Sequence, residues 1–209
     1  MTMLFDIYYK KRYNLASSYP DDNEQFRFEN GSATGLEVLL KYNSKVESWV
    51  GYSYSRSIKG FENNYYLSQY DRTHIFKINF NYPILDNWIL TAFFNYSTGL
   101  PFTPSNGKFI GLQITDFQND QMSSADYKWR SIPGTKNSFR MSDYHRLDIG
   151  ITGSFLWNKY LVKPYLQIMN VYNSENPFFY NFSPYTSNHI EDDSRGSFVT
   201  PTLGVSVEF

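Results

Sequence analysis

Two histidines carry the first chemical possibility in this chain. His74 and His145 stand beside Arg72 and Arg146, with Asp71, Asp143 and Asp148 close in sequence. An imidazole among carboxylates can serve as a general base or a metal ligand. The same residue types also tie neighbouring segments together through charge-assisted hydrogen bonds, and that is the role expected here. A second group, His189 with Glu191, Asp192 and Asp193, offers oxygen ligands to a hard cation. It lacks the glycine-punctuated spacing of a calcium loop and reads as a solvated loop. No Ser-His-Asp or paired-carboxylate arrangement follows from residue order, so no catalytic, metal or cofactor residue is assigned and the chain reads as a non-enzyme. Aromatic rings are the third possibility. Residues 98–143 include Phe102, Phe109, Phe117, Tyr127, Trp129 and Phe139, and residues 173–199 include Phe178, Phe179, Tyr180, Phe182 and Tyr185, interleaved with Asn, Ser and Asp. Rings among amides and carboxylates suit a glycan or peptide ligand, although they can equally pack loops against one another. Phe102, Tyr127, Trp129, Phe179, Tyr180 and Tyr185 are the candidate ligand-binding residues.

The elements that must position these groups are legible as period-two alternation. Eight segments show it, each near the nine to eleven residues a tilted strand needs to cross a bilayer. The first, about 4–13, has a poor phase. The second, LEVLLKY at 36–42, sets Leu36, Val38, Leu40 and Tyr42 against Glu37, Leu39 and Lys41. The third sets Val50, Tyr52 and Tyr54 against Gly51, Ser53 and Ser55, with Trp49 expected at the rim as an interface anchor. The fourth sets His74, Phe76, Ile78, Phe80 and Tyr82 against Ile75, Lys77, Asn79 and Asn81. The fifth, 88–97, puts Trp88, Leu90, Ala92, Phe94 and Tyr96 on one face. The sixth, 144–155, alternates Leu147, Ile149 and Ile151 with Asp148, Gly150 and Thr152. The seventh, about 160–172, places Leu166 and Ile168 opposite Tyr165, Gln167 and Met169. The eighth, PTLGVSVEF at 201–209, alternates without a miss and ends on an aromatic. Short links near Asn43, Leu85 and Asn158 alternate with long ones at about 14–33, 56–71, 98–143 and 173–199, so all long loops are expected on one rim.

Composition agrees with lipid on one face and water on the other. The 209 residues include 19 Tyr, 18 Phe and 4 Trp, yet the mean hydropathy is −0.50. Aromatic girdles with a polar lumen produce that combination. No apolar run is long enough for a transmembrane helix. With 19 basic and 20 acidic residues there is no polyanion-binding field, which disfavours a nucleic-acid partner. Cysteine is absent. The start MTMLFD has no basic stretch, apolar core or cleavage site of an export signal, and the chain is expected to be the C-terminal part of a longer protein.

Several segments resemble the C-terminal half of a TonB-dependent receptor barrel of the Bacteroidetes type. They are NGSATGLE at 30–37, YDRTH at 70–74, YSTGLPFT at 96–103, YHRLD at 144–148, NVYN at 170–173 and the closing strand, all in the family's order. The resemblance spans nearly the whole chain and makes 1–209 one barrel portion without plug domain or signal peptide. It implies an all-β fold, an antiparallel transmembrane β-barrel portion with long extracellular loops and short periplasmic turns, taken from a wall of about 22 strands. The implied location is the outer membrane of a Gram-negative bacterium. Implied partners are outer-membrane lipid, the barrel-assembly machinery, which would read Leu203, Val205, Val207 and Phe209, and, in the full-length protein, the plug domain and TonB. The implied function is TonB-dependent uptake of a siderophore, glycan or peptide. A free-standing eight-stranded outer-membrane barrel with a structural or adhesion role is the alternative, and a soluble all-β carbohydrate-binding module is the second alternative.

Overall fold

Alternating β-formers fold as strands throughout. The computed structural model describes residues 1–17, 27–118, 121–177, 179–182, 190–193 and 198–209. The fold is all-β: eight strands form a curled antiparallel sheet, a half-barrel. They are β1 (Thr2–Ser17), β2 (Arg27–Asn43), β3 (Glu47–Phe61), β4 (His74–Leu85), β5 (Trp88–Ser97), β6 (Tyr144–Gly153), β7 (Tyr160–Met169) and β8 (Thr200–Glu208). Each pairs with its chain neighbours, leaving β1 and β8 as the sheet's two edges. At Ser154 the wall breaks, its N–H donating to the Asn87 carbonyl at 2.8 Å. Pairing with β7 then resumes over Phe155–Trp157.

The short links are 44–46, 86–87 and 158–159, and antiparallel pairing puts all of them on one rim. Asn158 takes the left-handed conformation that a tight turn needs, with φ 55°. The opposite rim carries every long connection, as expected. Two features differ from the sequence-based expectation. The strands run farther than their apolar alternation, β2 starting at Arg27 and β3 ending at Phe61, because backbone pairing continues through Ser, Thr, Gly and Lys that carry no apolar contrast. The long connections also hold ladders of their own. Asn64–Leu67 folds back on β3, Ser105–Gln118 pairs with Gln121–Pro133, and Phe179–Phe182 pairs with Ile190–Asp193.

Register decides which side chains share a face. One row runs Met3, Leu40, Val50, Ile78, Phe94 and Leu147 across β1 to β6. Another continues Leu90, Ile151, Leu166 and Leu203 to β8. The opposite face reads Leu39, Gly51, Lys77, Asn95 and Arg146 along one such row. The facing expected from sequence therefore holds for β2 to β8. The weak phase of β1 is fixed by its partner: Met3, Phe5 and Ile7 oppose Leu40, Val38 and Leu36. Trp49 departs from its expected role. It lies on the polar face, its ring 6.1 Å from that of Phe93, in a hollow of about 480 Å³ with Lys41, Asn79 and Asn81.

Some small residues of the polar face are seats for rings and not open space. A Cβ on Gly204 would lie 2.5 Å from the Tyr165 hydroxyl, and one on Gly35 would lie 2.4 Å from the Tyr8 ring. A tyrosine on one strand thus lies across the glycine of the next. Burial runs opposite to that of a water-soluble domain. Among the described residues Pro101 is buried but no aliphatic or aromatic side chain is, whereas Glu29, Asp71 and Asn170 are each 1% exposed and Asp148 is 6% exposed. Ile7 is 66% and Leu203 81% exposed. Among the described residues no second layer covers the apolar face of the sheet.

Candidate functional site

The polar residues singled out by sequence meet at the loop-bearing rim, where two buried carboxylates organise the connections. Asp71 Oδ2 accepts from the Ser57 N–H at 2.6 Å, and its Oδ1 accepts from Thr73 Oγ1 at 3.0 Å. Arg140 also pairs with Oδ1 and donates to the Gly99 carbonyl at 2.9 Å. This fork satisfies a carboxylate that water cannot reach. Glu29, at the loop end of β2, accepts from the Tyr66 hydroxyl at 2.5 Å. Its other oxygen stands 3.9 Å from Lys136 Nζ. That ammonium also donates to Ser17 Oγ at 3.2 Å and lies 4.5 Å from the Tyr66 ring centroid. Asn137 Nδ2 donates to the Leu67 carbonyl at 2.6 Å. Residues 134–141 are therefore a strap that ties β1, β2, the β3–β4 connection and the exit of β5 together.

Gly99 is required at this crossing. A Cβ there would fall 1.8 Å from the Met141 carbonyl oxygen, so the need is for close approach and not for an unusual φ. Pro101 and Phe102 then pair with Arg140 and Phe139. Asp143 closes the same corner, accepting from the Tyr96 hydroxyl at 2.5 Å and the Gly99 N–H at 3.0 Å. The Tyr96 hydroxyl above all, with the Gly99 N–H beside it, holds the Asp143 carboxyl below the usual carboxylate range, against a smaller opposing effect of burial.

Both histidines stitch strands. His74 Nδ1 lies 2.9 Å from the Tyr52 hydroxyl, and the His74 backbone N–H donates to Thr98 Oγ1 at 3.1 Å. His145 Nδ1 lies 2.9 Å from the Tyr172 hydroxyl, and Asn176 brackets the His145 backbone through its N–H and carbonyl. Arg72 donates to Ser97 Oγ. Asp148 pairs with Arg146 at 2.9 Å and accepts from the Asn170 N–H at 2.9 Å. This is the tying role expected of these residues.

Of the aromatic candidates, Phe102 and Tyr180 come together edge to face with ring centroids 5.1 Å apart. Phe139 joins them at 6.2 Å from Phe102. The Tyr180 hydroxyl accepts from the Ser142 N–H at 3.2 Å and lies 3.0 Å from Ser142 Oγ. The result is a small platform of rings and hydroxyls on the rim. Tyr127 and Trp129 do not join it. They share one face of the Ser105–Gln118/Gln121–Pro133 hairpin with Leu112 and Ile110, Tyr127 being 74% exposed and Trp129 lying under Lys108 Nζ at 5.0 Å. The backbone of Phe179 pairs with Asp193; its side chain, together with Phe178, Tyr185 and His189, lies outside the described residues. The acidic group at 191–193 is described in backbone alone, paired with 179–181. Sequence reasoning missed Glu29, Lys136 and Arg140, whose only sign in sequence is a charge in an otherwise unpatterned stretch.

Comparison with known protein families, characterised proteins and solved structures finds no match to this chain. Its functional reading rests on its own residues and their arrangement.

Proposed function

We propose that this chain is part of the wall of an outer-membrane receptor, the C-terminal barrel portion of a TonB-dependent transporter in a Gram-negative bacterium, with its long connections at the cell surface. The supporting observation is an apolar face continuous from β1 to β8 on which no second layer packs among the described residues. In water such a face would be covered by a second layer, whereas in a bilayer the lipid covers it. The polar face, with Trp49, Phe93 and Tyr165 among lysines and amides, then meets water and a plug domain. The edges β1 and β8 call for further strands, since unpaired edge amides have no partners in lipid. The rim platform of Phe102, Phe139 and Tyr180 is the ligand-facing element, suited to the ring of a sugar or an aromatic side chain.

The alternatives fit less well. A free-standing eight-stranded barrel requires β1 to pair with β8, and in this sheet they are opposite edges. A soluble carbohydrate-binding module requires the apolar rows to be buried. Membrane fractionation with surface proteolysis tests the proposal. The chain should sediment with outer membranes, resist carbonate extraction and be cut first within 105–133; recovery as a soluble, carbonate-released protein would contradict it.

A further inference from the structure

Two adjoining hollows mark the polar face. The first, of about 480 Å³, lies at the short-link end of β2–β4 and is lined by Lys41, Glu47, Trp49, Asn79 and Asn81. The second, of about 320 Å³, lies on β5–β7 and is lined by Thr91, Phe93, Thr152, Tyr165 and Gln167. Register joins them. Asn79 opposes Phe93 and Asn81 opposes Thr91, and the Trp49 and Phe93 rings meet at the boundary with centroids 6.1 Å apart. Rings thus stand on β3, β5 and β7, alternate strands of one continuous strip. The platform of Phe102, Phe139 and Tyr180 belongs to the opposite rim, beyond the loop end of β5.

The chemistry of the strip selects its ligand. Asn81 Nδ2 donates to Asn79 Oδ1 at 3.1 Å, which fixes both amides and leaves the Asn79 amino group and the Asn81 carbonyl as a donor and an acceptor for neighbouring hydroxyls. Lys41 and Glu47 carry opposite charges, and among the described residues neither forms an ion pair. A charged ligand would meet one of them as a like charge, whereas hydroxyls bond to both. Asp148, which borders the second hollow, is already paired with Arg146 at 2.9 Å. A purely apolar ligand would leave the amides without partners. Trp49, Phe93 and Tyr165 are half-buried, so each keeps ring surface for C–H groups. An uncharged sugar combines hydroxyl edges with C–H faces, and both hollows have the volume of small-ligand clefts.

We propose that this strip of β2–β7 is a binding site for an uncharged oligosaccharide, separate from the rim platform, in which sugar rings stack on Trp49, Phe93 and Tyr165 while Lys41, Glu47, Asn79 and Asn81 bond to their hydroxyls. The site stands on the polar face alone and goes beyond the reading of the apolar face as lipid-facing. The test uses the whole chain in lipid bilayer discs, titrated with maltotetraose and followed by the indole N–H resonances. The Trp49 resonance is assigned by its loss in Trp49→Phe, and Trp88 on the apolar face is the internal control.

The Trp49 resonance should shift and saturate while that of Trp88 stays in place. Affinity should fall about tenfold in the Asn79→Ala/Asn81→Ala double variant and be unchanged in Phe102→Ala, which removes a ring of the platform. Tetragalacturonate, of the same length but anionic, should bind at least tenfold more weakly. No saturable shift of Trp49, affinity indifferent to the double variant, loss of binding in Phe102→Ala, or a shift with tetraglycine in place of the sugar would each overturn the saccharide site while leaving the barrel reading in place. A chain that stays out of the bilayer and still binds maltotetraose at Trp49 would overturn the barrel reading and keep the site.

Discussion

At the residue scale, the rim shows how few side chains fix the loops. Asp71 is buried and its Arg140 partner is only partly so; removing the guanidinium leaves a buried carboxylate with hydroxyl and amide donors alone. Arg140→Ala is therefore expected to destabilise the rim by about 3 kcal/mol, seen as faster amide hydrogen exchange across 134–141 with no change in β4 or β5. Asp143 answers to pH. Its folded-state pKa lies below the ordinary aspartate value, so its contribution is fully present above that ordinary value and is lost as pH falls through the depressed one. The Gly99 amide, bonded to Asp143 Oδ1, should stay protected from exchange through the range where a free aspartate protonates and lose protection only at more acid pH. Asp143→Asn should remove that acid step. None of these partnerships was legible in sequence: Asp71 and Arg140 are 69 positions apart, and only the fold brings them together. The tying role of His74 and His145 was legible, because each sits with Arg and Asp where a clear alternation begins.

At the element scale, alternation identifies a strand only where the two faces differ in polarity. β4 and β5 are unambiguous because Phe76, Ile78 and Phe80 interleave with Lys77, Asn79 and Asn81. β1 is not, since Leu4 and Tyr8 occupy its polar face; pairing with β2 assigns it. The hairpin Ser105–Gln118/Gln121–Pro133 stayed hidden inside a long connection, although FIGLQI at 109–114, followed in sequence by Asn and Asp, residue types that bound strands, was its signal. Two substitutions test the elements. Ile78→Arg, in the middle of the apolar row, should lower stability in bilayers by about 2–4 kcal/mol, whereas Asn79→Arg on the polar face should change it little, both read from urea unfolding in vesicles. Gly99→Ala should separate the β5 exit from the strap, because its methyl cannot share space with the Met141 carbonyl. Loss of protection at the Met141 amide, bonded to the Leu100 carbonyl at 2.9 Å, is the expected readout.

At the scale of the whole molecule, the decisive property is a sheet in which, among the described residues, no hydrophobic side chains gather into a buried core. The hydrophobic effect folds a soluble domain by hiding apolar side chains from water; here hydrogen-bonded pairing and a buried polar rim hold the sheet, and the apolar rows remain available to a surrounding solvent. If that solvent is lipid, belt, loop segregation and open edges share one explanation. Site-directed spin labelling along β4 tests this most directly. Nitroxides placed singly at positions 76 to 81 of the full chain in vesicles should alternate with period two, Phe76, Ile78 and Phe80 accessible to oxygen dissolved in lipid and Lys77, Asn79 and Asn81 accessible to a water-soluble nickel chelate. Nickel accessibility on both faces, or no alternation, would contradict a lipid-facing wall.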